Sequence, residues 1–172
     1  MARKNLAPNL RIEALEAHHD RSMFWCGVPE LDTYLQQRAG QDLQRKLAAV
    51  FVLTADSKTI AGFYTLSAHS ISGADLPPEL AKRLPRFPLP VTLLGRMAVA
   101  QSLQGAGLGE HLLLDALNRA LHGSRHVASW AVVVDAKAGA REFYLKHDFI
   151  PLPDSPDRLF LPMMTIEALF AG

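Results

Sequence analysis

The sequence predicts one mixed α/β domain, and three observations lead to this fold class. The chain has 172 residues, which suits one domain with a full core. Apolar residues make up 49% and charged residues 20% of it, as in globular rather than disordered chains. Two apolar runs, at 47–54 and 59–70, predict a β-hairpin, and alternating strands and helices follow it. We therefore expect a single domain over residues 1–172.

The N-terminal half also contains signals for a strand and a helix. Residues 10–15 alternate between apolar and polar types, which is typical of a half-buried strand. A helix is predicted over 29–44, because Pro29 suits a first turn and apolar residues recur at helical spacing, at Val28, Leu31, Leu35, Ala39 and Leu43. Within the hairpin, Gly62 is expected to mark a bulge.

The C-terminal half is predicted to alternate strands and helices after a proline-rich loop. The loop covers residues 71–90, with one helical turn at 79–84. Strands are expected at 91–99, 127–134 and 158–166, and helices at 110–121 and 136–147. The uninterrupted apolar run in 127–134 is typical of a central strand covered on both faces.

Charge and composition exclude several classes of protein. A net charge of +1 is by itself no signature of nucleic-acid binding. No apolar stretch approaches the ~20 residues that span a bilayer, and no apolar segment follows the basic N-terminus as in a signal peptide. The single cysteine, Cys26, cannot form an internal disulfide, and we interpret it as a small buried hydrophobe. We therefore expect a cytoplasmic protein without membrane contact.

The seven histidines give no metal-binding pattern. His18 and His19 are adjacent, whereas Gly123-Ser124, between His122 and His126, is expected to break their helix. Neither H-E-x-x-H nor C-x-x-C occurs. The sequence therefore predicts no metal site.

The most informative stretch joins the strand at 91–99 to the helix at 110–121. Its three alternating glycines permit backbone conformations closed to other residues and let main-chain amides approach a ligand. Unpaired amides and the positive end of a helix dipole then point the same way, which favours an anion. We predict that this loop binds a pyrophosphate, the alternative being a plain glycine-rich turn.

The spacing within the loop distinguishes among pyrophosphate ligands. A P-loop needs Gly-Lys-Ser/Thr after its glycines, but this helix opens with Glu110-His111. A dinucleotide fingerprint needs G-x-G-x-x-G, whereas residues 104–109 read Q-x-x-G-x-G. This pattern resembles the acetyl-CoA-binding motif of the GCN5-related N-acetyltransferases, the GNAT family.

The resemblance extends over nearly the whole chain and implies a fold and a cofactor site. The fold would be a mixed, mostly antiparallel sheet of six to seven strands, splayed between strands 4 and 5, with flanking helices. Main-chain groups of Met97 and Val99, beside Ala98, would meet the pantetheine arm of acetyl-CoA. The pyrophosphate would be wrapped by Gln104, Gly105, Ala106, Gly107, Leu108 and Gly109.

A second signature of the family is similar to Phe143-Tyr144 followed by Asp148-Phe149, with Asp148 in place of the usual glycine. By this resemblance Phe143 belongs to the cofactor site, and Tyr144 is the candidate general acid for the departing thiolate. The two side chains project about 100° apart on a helix, so one ring can pack in the core while the other meets the cleft. The alternative is that both rings are core residues.

Five further segments narrow the resemblance to one subgroup. They are Phe24-Trp25-Cys26-Gly27, Leu31-Asp32-Thr33-Tyr34-Leu35, Gly62-Phe63-Tyr64-Thr65-Leu66-Ser67, Leu94-Gly95-Arg96-Met97-Ala98-Val99 and Leu159-Phe160-Leu161-Pro162-Met163. In this order they resemble the GNAT toxins of bacterial type II toxin–antitoxin modules. The resemblance implies acetylation of the α-amine of the amino acid on charged tRNA, which blocks translation. It also implies a homodimer and a ribbon-helix-helix antitoxin, through which alone the toxin would contact operator DNA.

The strand before the glycine loop offers no general base, because its one charged residue is Arg96. A lysine amine with a pKa of about 10.4 is almost wholly protonated at neutral pH, whereas an α-amine at about 7.7–8.0 is partly free. A weakly basic α-amine is therefore the acceptor we expect. His69 could assist through water, although a histidine in a strand is more often structural.

Local clusters of basic residues are candidates for RNA contacts. Arg96 either pairs with an internal carboxylate or meets an RNA phosphate. Further phosphate contacts are predicted for Arg38, Arg45, Lys46, Lys82, Arg83 and Arg86. Solvated surface is the alternative for each cluster taken alone.

Two other functions stay open beside the toxin. One is acetylation of a small-molecule or protein amine. The other is a module that binds acyl-CoA without catalysis, which Tyr144 argues against. A growth arrest that disappears with Tyr144→Phe would separate an enzyme from a sensor.

Overall fold

The computed structural model describes residues 9–136 and 139–172. Its elements in chain order are β1 (Arg11–Ala14), α1 (Pro29–Thr33), a π-helical segment (Tyr34–Arg38), α2 (Ala39–Gln44), β2 (Ala49–Thr54), β3 (Gly62–Ile71), a 3₁₀ turn (Gly73–Asp75), α3 (Pro78–Ala81), β4 (Leu89–Val99), a second 3₁₀ turn (Gln101–Leu103), α4 (Leu108–Gly123), β5 (Ala131–Asp135), α5 (Arg141–Lys146), β6 (Ile150–Leu152), β7 (Ser155–Pro162) and α6 (Met163–Ala171). The basic N-terminus, and residues 137 and 138 of the helix predicted at 136–147, lie outside the described residues.

The strands form a seven-stranded sheet in the order β1-β2-β3-β4-β5-β7-β6. Strand β2 pairs antiparallel with β1 on one side and with β3 on the other. Strand β7 lies between β5 and β6 and pairs antiparallel with both, whereas β4 and β5 are parallel. The parallel pairing runs from Val91 opposite Ala131 to Leu94 opposite Val134, and β4 continues beyond it to Val99. The mixed, mostly antiparallel sheet confirms the predicted fold class, and the early end of the β4–β5 pairing is what the expected splay requires.

The chain divides into two compact units. The first contains the described part of residues 1–67 together with Arg96–Ala116, and the second contains Ala68–Gly95 and Leu117–Gly172. A single domain over residues 1–172 therefore stays a prediction.

An aromatic core in the first unit holds the α1–α2 helical run against the sheet. Phe63 of β3 meets Phe24 edge-on, with ring centroids 5.5 Å apart, and stacks with Tyr34 at 6.3 Å. The helical run covers the predicted residues 29–44 but contains a π-helical middle. Its apolar residues follow Leu31 in steps of four, and each such step drifts by about 40° on an α-helix. We attribute the wider π turn to this spacing, because it returns the apolar stripe to the core.

A second core lies in the second unit, where β4, β5 and β7 meet. It contains Val91, Ala131, Val133 and Phe160, and Trp130 stacks on Phe160 with ring centroids 5.7 Å apart. The side chains of Ala131, Val132 and Val133 are fully buried, as predicted for a central strand.

Three predictions about the C-terminal strands and helices are wrong. The strand predicted at 127–134 begins only at Ala131, and Val127 is 78% exposed. The strand predicted at 158–166 ends at Pro162, after which Met163 and Ile166 are buried on one face of α6. The helix predicted at 136–147 begins at Arg141. Continuous apolar runs lack the alternation that separates strand from helix and fixes their ends, which explains these errors.

The prediction of a bulge at Gly62 is also wrong, because Gly62 pairs with Leu53 in regular register. A Cβ at this position would lie 3.0 Å from both the Ala98 carbonyl oxygen and Leu112 Cδ1. Glycine is therefore needed here for close packing. Among the described residues, no helix combines the length and apolarity needed to cross a bilayer.

Candidate functional site

The glycine loop of the first unit adopts the conformation that only glycine takes readily. Gly105 and Gly107 have φ angles of +83° and +82°. No heavy atom of the described residues lies within 4 Å of the position a Cβ would take at Gly105 or Gly107. Backbone conformation, rather than crowding by these residues, therefore requires the two glycines.

A run of main-chain amides has no acceptor among the described residues where this loop enters α4. The first hydrogen bond of the helix is donated by His111 N to Gly107 O, at 3.2 Å. The amides of residues 105–110 donate to no acceptor in the described ranges. Oriented amides at the start of a 16-residue helix fit a diphosphate in both geometry and charge. This geometry supports the predicted roles of Gly105, Ala106, Gly107, Leu108 and Gly109.

Gln104 shapes the loop rather than extending this run of amides. Its side-chain Nε2 donates to Cys26 O at 2.9 Å and to Val99 O at 3.0 Å. Its main-chain amide donates to Gln101 O at 3.3 Å. The Val99 carbonyl, expected to meet pantetheine, is thus already an acceptor for Gln104. On the same strand, Ala98 is buried and Met97 is half-buried.

Arg96 lies over an aromatic ring that the sequence analysis did not single out. Its guanidinium carbon is 3.6 Å from the centroid of the Tyr34 ring, and the Tyr34 hydroxyl donates to Asp42 Oδ2 at 2.9 Å. The pKa of Tyr34 is raised to about 12, mainly by burial and then by the hydrogen bond to Asp42. The positive charges of Arg96 and Arg38 lower this pKa, but by less. Within residues 9–136 and 139–172, no carboxylate forms an ion pair with Arg96. The interpretation as an internal ion pair is therefore wrong for these residues.

The other predicted RNA-binding residues are on the surface of one unit or the other. Arg38, Arg45 and Lys46 are exposed in the first unit. In the second unit, Lys82, Arg83, Arg86 and His69 are exposed. Lys82 lies 4.0 Å from Glu79, an exposed pair that contributes little to stability.

Tyr144 lies on α5 in the second unit and is the more buried member of the aromatic pair. It is 7% exposed and packs edge-on against Phe143 and Phe149, at 5.2 and 5.3 Å between ring centroids. No described residue forms a hydrogen bond with its hydroxyl. Burial raises the pKa of Tyr144 well above its usual value, so the phenol stays protonated at neutral pH. Phe143 is half-buried and also contacts His147.

The departure from the second signature has a local explanation. Asp148 has a φ of +68°, in the left-handed region that glycine adopts most easily. Aspartate is among the few other residues that tolerate this conformation, so the turn between Tyr144 and the buried Phe149 is preserved.

Cys26 is buried, as predicted, and is held in its neutral form. It is 5% exposed, and its pKa is raised to about 11 by burial and then by the neighbouring Asp32 carboxylate. A protonated, buried thiol is a poor nucleophile. Cys26 therefore contributes packing and main-chain contacts.

One group of potential metal ligands occurs in the described part of the chain. Ligand atoms of Glu13, His18 and His19 lie within 4.8 Å of one another. His19 is buried; its Nδ1 accepts from Glu16 N at 2.9 Å and its Nε2 donates to Glu13 Oε1 at 2.6 Å. The hydrogen bond from His19 is the main reason that the pKa of Glu13 is lowered to about 2. Both ring nitrogens of His19 are therefore engaged within the chain, and hydrogen bonding accounts for the group.

Comparisons with known proteins agree with this geometry. Residues 46–151 match the acetyltransferase (GNAT) domain family. A tRNA-acetylating toxin of Mycobacterium tuberculosis (strain ATCC 25618 / H37Rv) is 38% identical over 151 residues, which are 87% of this chain and 90% of the toxin. The structure of AtaT complexed with acetyl-methionyl-tRNAfMet is similar with a TM-score of 0.87 and 32% identity, over 94% of this chain and 99% of AtaT.

A second solved structure contains a mutant of the same toxin. It is a Tyr-to-Phe mutant of AtaT bound to the C-terminus of the antitoxin AtaR and to acetyl-CoA. Its TM-score is 0.83 at 28% identity, over 95% of this chain and 99% of that chain. With the family match and the mycobacterial relative, the chain belongs to the GNAT acetyltransferase family and to its toxin subgroup.

Proposed function

We propose that this chain is a toxin of a type II toxin–antitoxin module that acetylates the α-amine of the amino acid on charged tRNA. The acetyl donor is acetyl-CoA, as in the family. The observation that carries the proposal is the run of amides over residues 105–110 that donate to no acceptor in the described ranges, within which Gly105 and Gly107 have positive φ. The acceptor is proposed from the mycobacterial tRNA-acetylating toxin and from AtaT, which is known in complex with an acetylated aminoacyl-tRNA.

The residues of the chain supply binding, polarisation and one proton. Acetyl-CoA provides a thioester carbonyl that a neutral amine attacks. Main-chain groups of Met97 and Val99, with Ala98, are proposed to position the thioester. Phe143 is proposed to bind the cofactor, as the resemblance to the family's second signature implies. Tyr144 is proposed to protonate the thiolate as the carbon–sulfur bond breaks, while the amine nitrogen loses a proton to water.

The basic residues are proposed to bind tRNA phosphates. Arg96 is the strongest candidate, since its guanidinium is fixed on the Tyr34 ring without an ion-pair partner among the described residues. Arg38, Arg45, Lys46, Lys82, Arg83 and Arg86 would add contacts that weaken with salt. His69, exposed on β3, is proposed to assist at the acceptor through water.

The partners and setting are further parts of the proposal. By analogy with AtaT and AtaR, an antitoxin would bind this chain. We propose that it is a ribbon-helix-helix protein that carries operator DNA contacts, that the toxin is a homodimer, and that it acts in the cytoplasm, where charged tRNA is found.

The test is incubation of the protein with labelled acetyl-CoA and total charged tRNA. Label should enter the tRNA fraction, and mild alkali should release it as an N-acetyl amino acid. Deacylated tRNA should take up none. Label on protein or polyamine alone would support an acetyltransferase that acts on a protein or small-molecule amine. Binding of acetyl-CoA without any transfer would support a non-catalytic module.

The pH dependence of the reaction should follow the acceptor rather than Tyr144. The neutral fraction of the α-amine rises with pH and reaches one half at its pKa, which is about 7.7–8.0 or lower. The value of kcat/KM should therefore rise with pH until the pH exceeds this pKa. The raised pKa of Tyr144 keeps the phenol protonated there, so no loss of rate should follow up to about pH 9. Single-turnover rates on charged tRNA measure this profile, and a decline between pH 8 and 9 would argue against Tyr144 as the acid.

A further inference from the structure

We propose that Asp32 is a positioning residue for the acetyl-CoA loop, acting through the main chain of Cys26 and the Gln104 side chain. The inference rests on the proposed function, because it takes acetyl-CoA as the ligand of that loop. Asp32 would not touch acetyl-CoA. Its carboxylate would fix a peptide that in turn fixes the turn leading to Gly105.

Two hydrogen bonds, one at each main-chain group of Cys26, connect Asp32 to Gln104, and a third connects Gln104 to β4; all three lie within the first unit. The Cys26 amide donates to Asp32 Oδ1 at 2.7 Å. The carbonyl of the same residue accepts from Gln104 Nε2 at 2.9 Å, and this nitrogen also donates to Val99 O at 3.0 Å. The side chain of Gln104, the residue immediately before Gly105, thus joins the Cys26 carbonyl to the end of β4.

A second attachment holds the same segment to the other end of the turn. Gln101 N donates to Trp25 O at 2.8 Å, and the Trp25 indole N–H donates to Gln101 Oε1. Residues 25 and 26 therefore contact both Gln101 and Gln104, the two ends of the turn that precedes Gly105. The Cys26 amide shares a peptide group with the Trp25 carbonyl, so rotation of that group would displace the acceptor of Gln101 N. A shift of Cys26 would displace the carbonyl that accepts from Gln104 Nε2 and loosen the other end.

The environment of Asp32 indicates what its side chain does. It is 4% exposed, and within the described residues its Oδ2 is buried without a hydrogen-bond partner. No ion pair offsets the burial of the carboxylate in that part of the chain. Its one main-chain partner is the Cys26 amide, which would be left buried without an acceptor if Asp32 were removed. An asparagine can make the same contact through its side-chain oxygen.

The experiment measures acetyl-CoA affinity by calorimetry in the full chain. Asp32→Ala should raise the dissociation constant about tenfold, the effect of one lost hydrogen bond, whereas Asp32→Asn should stay within about twofold of wild type. At saturating acetyl-CoA, kcat of the alanine variant should be nearly unchanged. Asp32→Leu provides a variant that lacks the acceptor but fills the buried site with apolar atoms, should the alanine variant fail to fold.

A matched control removes a comparable contact elsewhere in the same unit. Asp56 Oδ1 accepts from Thr59 N at 2.7 Å and Lys58 N at 2.9 Å, in a turn outside the loop. Asp56→Ala should lower the melting temperature but leave acetyl-CoA affinity unchanged. Gln104→Ala should weaken binding, and adding Asp32→Ala to it should weaken binding no further, because both changes break one chain of contacts.

The outcomes separate the inference from the function on which it rests. Absence of acetyl-CoA binding by the wild-type protein would overturn the proposed function. Wild-type binding with unchanged affinity in Asp32→Ala or Asp32→Leu would overturn the inference alone. Additive losses in the double variant with Gln104→Ala would likewise show that Asp32 does not act through Gln104.

Discussion

Replacing Tyr144 by phenylalanine should lower kcat for acetyl transfer by about 100-fold while leaving acetyl-CoA affinity within about twofold of wild type. A positioned general acid typically contributes a factor of about 10²–10⁴. We expect the lower end of this range, because burial raises the pKa of Tyr144 and so makes the phenol a weaker acid. The measurement is single-turnover transfer from labelled acetyl-CoA to charged tRNA.

The fold should be undisturbed by this change. The Tyr144 hydroxyl has no hydrogen-bond partner in the described residues, so phenylalanine removes no contact and keeps the packing against Phe143 and Phe149. The melting temperature should therefore be equal or slightly higher. A turnover close to that of wild type would remove Tyr144 from the mechanism. It would favour the alternative hypothesis that Phe143 and Tyr144 are both core residues.

Tyr64→Phe is the matched control for loss of a tyrosine hydroxyl. Tyr64 is fully buried, and its hydroxyl donates to Asp115 Oδ2 at 2.5 Å. Removing this contact should lower the stability of the protein by about 1–3 kcal/mol, since a hydrogen bond to a charged group is lost. The rate of transfer by the folded variant should stay near that of wild type.

The glycine loop could be predicted from sequence because its chemistry is local. Positive φ at Gly105 and Gly107 and a helix beginning close behind them need only the order of residues along the chain. The same holds for the burial of Cys26 between apolar neighbours and for the helix end at Gly123.

Contacts between distant segments could not be predicted in this way. The stacking of Arg96 on Tyr34 joins β4 to the π-helical segment, and nothing in either local pattern specifies it. The contact between the Cys26 amide and Asp32 likewise depends on how the chain enters α1. All four of these residues lie in segments that resemble the toxin subgroup. This resemblance is the one feature of the sequence that points to them.

The predicted ends of strands and helices are wrong where the local sequence pattern is ambiguous. The apolar residues on both sides of Pro162 suit a strand and a helix equally, and the change from β7 to α6 is decided by the burial of Met163 and Ile166. The three-residue strand β6 contains Pro151 and has no alternation long enough to be recognised.

Replacing Gly107 by alanine should weaken acetyl-CoA binding by about 5–30-fold and have little effect on kcat at saturating acetyl-CoA. The φ of +82° at Gly107 costs a residue with a Cβ about 1–2 kcal/mol, although no atom of the described residues would crowd that Cβ. The loop would relieve this strain by turning its amides away from a diphosphate, so the loss should appear in the dissociation constant measured by calorimetry.

Gly123→Ala is the control for this substitution, because it adds the same methyl group without the same strain. Gly123 is the last residue of α4, and there too no heavy atom of the described residues lies within 4 Å of the Cβ position. Alanine favours the helix, so this variant should be as stable as wild type or more so and should bind acetyl-CoA equally well. Equal affinities in Gly107→Ala, Gly123→Ala and wild type would mean that the amides of the loop do not hold the diphosphate. In that case the unpaired amides of residues 105–110 would be an ordinary helix start, and the proposed function would lose the observation that carries it.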